Sequence, residues 1–308
     1  MTPRQGPMRK GPEPFSSPPH AAAAFQNSPS MIIGGKSYLI SSRTLVMGIL
    51  NTTPDSFSDG GLFQVHEAAV ARGLAMIEEG ADIIDIGGES TRPGSDPVSV
   101  EEELERVIPV IEELHRTTDT PISIDTSKAR VADEACKAGA AMINDITGLR
   151  GDADMAAVAA RHGVPVVIMH IKGTPRDMQR EPYYESLIEE ICAFLREGAE
   201  LAMAAGVKRE NIILDPGIGF GKTLAHNLEI LARLGEIRAM EYPLLVGPSR
   251  KSFIGTLTGG LPPEQRVEGT AAAITACILN GADIVRVHDV REMARVAQVA
   301  DAIKRAGR

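Results

Sequence analysis

Tryptophan is absent from the 308 residues, and only four Tyr and seven Phe are present. Basic excess is missing too: 32 Lys plus Arg stand against 41 Asp plus Glu, a net charge of −9. Without stacking aromatics or a positive field, a nucleic-acid groove is excluded, and any anionic ligand must be held by a local basic cluster. The three cysteines, Cys136, Cys192 and Cys277, lie far apart within helix-like segments. That spacing provides neither a zinc motif nor a disulfide framework, so a reducing cytoplasm is the expected location. No apolar run approaches the ~20 residues that span a bilayer, so no membrane partner is expected. Residues 1–30 carry charges but no continuous apolar core; they read as a disordered Pro/Ala/Ser tail, with an organelle-transit role left open.

What is present is a recurring unit. From residue 44 onward, a short apolar run, a polar loop, an amphipathic helix and a Gly-containing turn follow one another. Strands are expected at 44–50, 82–87, 121–125, 141–145, 164–170, 211–215, 243–247 and 283–288. A helix is expected over 66–79, with Val70, Leu74 and Ile77 at i, i+4 and i+7 and Gly80 as its stop. Continuous apolar strands separated by helices, with no compositional break, predict an α/β fold. The expected architecture is a (β/α)8 TIM barrel forming one domain over 31–308, with a doubly wound open sheet as the alternative. Residues 31–43, with Gly34-Gly35 between apolar runs, read as a hairpin closing the lower end of the barrel.

The segment ISIDTSK, 122–128, poses a problem of burial: Asp125 directly follows Ile122 and Ile124 of an apolar strand, and an unpaired buried carboxylate is costly. The other strand ends carry Asn51, Glu89 to Arg92, Asn144, Asp145, His170, Asp215, Ser249 to Lys251, Arg286 and His288. Ordinary loop polarity accounts for any one of these. It does not account for polar groups inside the apolar strands themselves, so a converging site at the carboxyl ends is expected. DPGIGFGKT, 215–223, fails the P-loop spacing because position 216 is Pro, and it fails the dinucleotide fingerprint because Lys222 stands where the third Gly is required. Its glycines permit a sharp turn that presents Phe220, while Lys222 and Thr223 are expected to begin the next helix. In GPSRKSFIG, 247–255, only one of Arg250 and Lys251 should point inward, and Lys251 is the choice. His170 and His288 lack a third zinc ligand, so a zinc site is not expected.

Taken in order, MGILNTTPDSFSDGG, DIIDIGGESTRPG, SIDTSK, INDITG, MHIKGTP, LDPGIGFGKT, GPSRKSFIG and VRVHDV resemble the dihydropteroate synthase family, folate-pathway enzymes inhibited by sulfonamides. The resemblance runs from about Ile33 to the C-terminus. It implies a (β/α)8 barrel, Mg2+, a homodimer, and condensation of 6-hydroxymethyl-7,8-dihydropterin diphosphate with 4-aminobenzoate. It also implies that Asp125, Asn144, Asp215 and Lys251 line a pterin pocket and that Asn51, Arg286 and His288 hold diphosphate, Asn51 through the metal. Thr91, Arg92, Pro93, Phe220 and Ser252 would border aminobenzoate, and Ser249 is counted with the substrate-binding residues. Asp125, Lys251, Arg286 and His288 would carry the chemistry, with Asp125 steadying a pterin cation as diphosphate leaves. Lys172, Leu149 and Thr52 depart from the usual family wording. A catalytically silent pterin-binding paralogue and a folate-to-corrinoid methyltransferase are the competing readings.

Overall fold

The computed structural model describes residues 30–40, 42–53, 62–90, 95, 97–174 and 176–307. The expected tail over 1–30 lies outside them except for Ser30, which already belongs to the first strand. Strands β1 (Ser30–Ile33) and β2 (Lys36–Leu39) pair antiparallel across Gly34 and Gly35. Both glycines take positive φ, 57° and 76°, as a two-residue hairpin turn of matching twist requires.

Eight parallel strands follow: β3 (Leu45–Asn51), β4 (Ile83–Gly87), β5 (Ile122–Asp125), β6 (Met142–Asp145), β7 (Val166–Met169), β8 (Ile212–Asp215), β9 (Leu245–Val246) and β10 (Ile284–Val287). They hydrogen-bond in the order β8, β7, β6, β5, β4, β3, β10, β9. A parallel bridge from Leu214 to Leu244 joins the outer two. The sheet therefore closes into the expected barrel, and the open-sheet alternative falls. Helices α1 (Leu62–Glu79), α2 (Val100–Thr117), α3 (Ala129–Ala138), α4 (Met155–His162) and α5 (Leu187–Ala204) separate the first strands. The second half adds α6 (Leu224–Ala232), α7 (Leu234–Arg238), α8 (Ser252–Leu257), α9 (Val267–Leu279) and α10 (Val290–Ala306).

Helix α1 forms where the apolar spacing predicts, and Gly80 ends it at φ 109°. Its most buried seam, however, is Val65, Ala69 and Met76, with Val70, Leu74 and Ile77 packed along the flank. The offset follows from Gly73: a Cβ there would meet Leu114 at 2.9 Å, so α1 turns this bare backbone toward α2.

Side chains alternate in and out along each strand. Outward residues such as Ile84, Ile86, Ile122, Ile124 and Ile143 meet the helices in the main core. Inward residues Met47, Ile83, Met142, Val167, Ile213, Leu245 and Ile284 form a second cluster, which Met31 and Ile33 of the hairpin cap from below. β1 and β2 thus plug the amino end of the barrel, as the sequence suggested. Ile33 is fully buried there, whereas Ile32, facing the other way, is 62 % exposed. Ile33→Ala should cost about 2 to 4 kcal/mol by leaving a cavity in the plug, and Ile32→Ala about 0.5 kcal/mol or less. Urea unfolding of both variants checks the contrast.

Candidate active site

The period of two that builds the plug also places the site. Two positions beyond Ile83, Met142, Ile213 and Ile284 come Asp85, Asn144, Asp215 and Arg286, which point to the same inner side one layer higher. Asp125 joins them because Ile122 and Ile124 face outward. The interior changes from apolar to charged within one layer.

Arg286 is the centre of this layer. Its Nε donates to Asp85 Oδ2 at 2.5 Å and its Nη2 to Asp125 Oδ2 at 2.6 Å. Asn144 Nδ2 also donates to Asp85 Oδ2, at 2.9 Å. One guanidinium therefore serves two carboxylates. Burial raises the Asp125 carboxyl well above its ordinary value; Arg286 opposes the shift, and nearby Asp85 adds to it. Burial disfavours the charge of Arg286, but Asp85 and Asp125 outweigh it and hold the guanidinium above its usual value. The two shifts are compatible because the cation has two anions and each anion has half a cation.

Asp215 is 6 % exposed, and its Oδ1 accepts from the Gly217 amide at 2.7 Å. Burial pushes its carboxyl up to about 6, opposed by that amide and by Lys251, Lys222 and Arg286. Lys251 sits with its ammonium 4.1 Å from the centre of the Phe220 ring. Burial and Arg286 lower it to about 8, against the attraction of Asp215 and Asp125. Arg250 turns the opposite way, at φ 58°, and grips Asp289 with two hydrogen bonds at 3.0 and 2.5 Å.

His288 Nδ1 lies 3.0 Å from Ser249 Oγ, which also accepts from the His288 backbone amide at 3.2 Å. In the tautomer that carries its proton on Nε2, the ring accepts the Ser249 hydroxyl hydrogen at Nδ1. Burial and then Arg286 hold the imidazole down, to about 3. Neutral His288 in that tautomer offers an Nε2–H donor, with Ser249 orienting the ring. Asn51 ends β3 opposite Gly87. A Cβ built on Gly87 would lie 3.8 Å from Asn51 Oδ1 and 3.7 Å from Asp125 Oδ2, which brings both groups to one spot.

The loop after β8 is shaped by close approach. A Cβ at Gly217 would fall 2.0 Å from the His170 carbonyl oxygen, and one at Gly221 2.4 Å from that of Lys172, both at positive φ. Thr223 caps α6, its Oγ1 accepting from the His226 amide at 3.2 Å. Lys222 corrects the sequence reading: it precedes the helix, is only 3 % exposed, and donates to His170 Nδ1 and the Phe220 carbonyl, both at 2.9 Å. Burial lowers Lys222 to about 7 and, with the Lys222 charge, His170 to about 2. His170 is a buried hydrogen-bonding residue, and among the described residues no group of three metal-binding side chains exists.

Asp125, Asn144, Asp215, Lys251, Arg286 and His288 thus form one cluster, linked by hydrogen bonds and mutual electrostatic influence, at the carboxyl end. Phe220 adjoins it, while Ser252 opens α8 at the exposed rim. Asp145 points out of the barrel, where Thr147 and Leu149 amides cap its carboxylate at 2.8 and 2.9 Å. Thr91, Arg92 and Pro93 lie outside the described residues. Sequence reasoning missed Asp85, although the reasoning applied to Asp125 would have found it: DIID also sets a carboxylate inside an apolar strand.

A family model described as pterin binding enzyme matches residues 47–288, and the chain belongs to that family. The dihydropteroate synthase of Synechocystis is 51 % identical over 277 residues, 90 % of this chain and 96 % of its own length. That of Bacillus subtilis is 51 % identical over 86 % of this chain and 90 % of its own. Among solved structures, Xanthomonas albilineans dihydropteroate synthase with 4-aminobenzoic acid has a TM-score of 0.85 at 46 % identity, covering 90 % of this chain and 99 % of that one. The Yersinia pestis enzyme with a sulfonamide drug gives 0.84 at 46 % identity and the same coverage. Within the pterin-binding family, then, this chain is a member of the dihydropteroate synthases.

The raised Asp215 carboxyl has a consequence for stability. Its folded value near 6 exceeds the unfolded value of about 3.9, so ionisation opposes folding. The penalty is absent below about pH 4, grows as pH rises, and is complete above about 6. Wild type should therefore lose about 2 kcal/mol relative to Asp215→Asn between pH 4 and 7, as read from urea unfolding curves at the two pH values.

Proposed function

We propose that this chain condenses 6-hydroxymethyl-7,8-dihydropterin diphosphate with 4-aminobenzoate, giving 7,8-dihydropteroate and diphosphate through a pterin cation. One observation carries the reading: acceptors Asp125 and Asp215, with Asn144 and Lys251, adjoin the donors Arg286 and His288 in a single cluster at the carboxyl end of the barrel. The relatives support the substrates, since Xanthomonas albilineans structures hold 4-aminobenzoic acid and 7,8-dihydropteroate.

A pterin edge presents N–H donors beside a carbonyl acceptor. Carboxylates and an amide oxygen suit the donors, and the Lys251 ammonium suits the carbonyl. Asp215 takes the aminopyrimidine edge. Asp125 faces the ring, where its charge steadies the cation that forms as the methylene C–O bond breaks and the electron pair leaves with diphosphate. Arg286 and the His288 Nε2–H receive the leaving oxygens. The aminobenzoate nitrogen then forms the C–N bond and releases its proton. Phe220 and Ser252 border this second substrate, together with Thr91, Arg92 and Pro93. No nucleophile on the protein is required.

Asn51 suits a magnesium ion: it offers a neutral amide oxygen at the diphosphate end, with no hydrogen bond to it among the described residues. Magnesium keeps water and phosphate oxygens in its shell and needs few protein ligands. When bound, it neutralises charge on the diphosphate. A homodimer is part of the proposal, supported by Leu279 of α9 and Val299 and Ile303 of α10, which remain 44, 62 and 55 % exposed. The three free thiols suit a reducing cytoplasm.

Incubation with both substrates and magnesium should yield dihydropteroate and equimolar diphosphate; no product would refute the proposal. Asp125→Asn should lower kcat by about 100-fold or more while weakening pterin binding by less than about tenfold, since it acts chiefly on the cation. Equal losses in single-turnover and binding measurements would remove its cation-steadying role. Asn51→Ala should raise the magnesium concentration for half-maximal rate by about tenfold, measured by titrating magnesium into the chelator-treated enzyme.

A further inference from the structure

Asp85 is fully buried in the middle of β4, and the proposed reaction gives it no task. Its Oδ2 receives both Arg286 Nε at 2.5 Å and Asn144 Nδ2 at 2.9 Å. Its Oδ1 has no hydrogen-bond partner among the described residues, and neither does Ser123 Oγ, its neighbour in the register of β4 and β5. A buried carboxylate with an idle oxygen is costly. Its two bonds to site residues indicate what is obtained in return.

The guanidinium is held unequally. Its Nε end lies below, on wholly buried Asp85, while its Nη2 end reaches Asp125, whose side chain keeps 10 % exposure. Only the Nη2 bond is open to competition from an entering anion. A diphosphate oxygen beside Arg286 would compete with Asp125 for Nη2, whereas Nε stays shielded on Asp85. The idle Oδ1 gives the turning guanidinium a second oxygen, as paired carboxylate–guanidinium geometry allows.

Resting on the reaction proposed above, we infer that Asp85 is a positioning residue that holds Arg286 as a pivot, so that arriving diphosphate draws Nη2 from Asp125 and frees that carboxylate for the pterin. The two halves of the substrate are then coupled through one side chain. Diphosphate strengthens pterin binding, and by linkage pterin strengthens diphosphate binding equally. Asn144, held by the same Asp85 oxygen, keeps its place as the guanidinium turns.

Calorimetric titration of the full chain tests this with two probes, magnesium diphosphate and 6-methylpterin, each alone and each with the other saturating. In wild type, saturating magnesium diphosphate should tighten 6-methylpterin binding by about fivefold. In Asp85→Asn that factor should fall to about one while each probe still binds alone. A merely structural part for Asp85 would lower the melting temperature and weaken both probes but leave the factor intact; that result overturns the pivot, as does a factor of one in wild type. Should Asp85→Asn not fold, Arg286→Lys keeps the charge but gathers its donors on one nitrogen, without the separate Nε and Nη2 that a pivot needs: loss of coupling supports the pivot and retention overturns it. Dihydropteroate formation by wild type is assayed alongside. Turnover without coupling sinks the pivot alone, and coupling without turnover sinks the reaction while the pivot stands.

Discussion

One guanidinium between two buried carboxylates organises the interior of this barrel. Asp85 and Asp125 share the single guanidinium of Arg286, so neither carboxylate has that cation to itself. Replacing such a cluster with apolar side chains would often make a protein more stable. That it stands on the same strands that build the plug, two positions further along, marks the change from a packing layer to a working one. The hairpin seals the other end, so the charged layer opens only at the carboxyl rim.

Around that centre, each group is tuned by burial and then by one neighbour. His288 is kept neutral and directed by Ser249; Lys251 rests on Phe220; Asp215 is steadied by the Gly217 amide. These are fixed dipoles and charges that need no rearrangement when charge develops in a substrate, the condition under which electrostatic stabilisation is strongest. Lys222 supports them from behind by tying His170 to the Phe220 carbonyl, so the loop that carries Asp215 and Phe220 is clamped by a buried cation.

The three departures from common family wording are absorbed by local structure. The Thr52 hydroxyl donates to the Gly87 carbonyl at 3.1 Å. Lys172 binds Glu190 at 3.0 Å and lies over the Tyr184 ring. Leu149 takes a left-handed φ of 66°, its amide fixed by Asp145, beside Gly148 at 62°. Each is satisfied where it stands.

By itself, the sequence determined the eight βα units, the hairpin and the inward set Asp125, Asn144, Asp215 and Arg286, because alternation and apolar runs are local properties that survive in a one-dimensional string. Its ordered motifs also carried the family. Only the tertiary structure decided which charges meet. Asp85 and Arg286 are 201 positions apart, and Lys222 and His170 are 52 apart. Barrel closure brings the first pair together, and close glycine packing brings the second. No spacing rule reaches across such separations, so partners, and with them the sharing of one cation by two anions, belong to the closed fold.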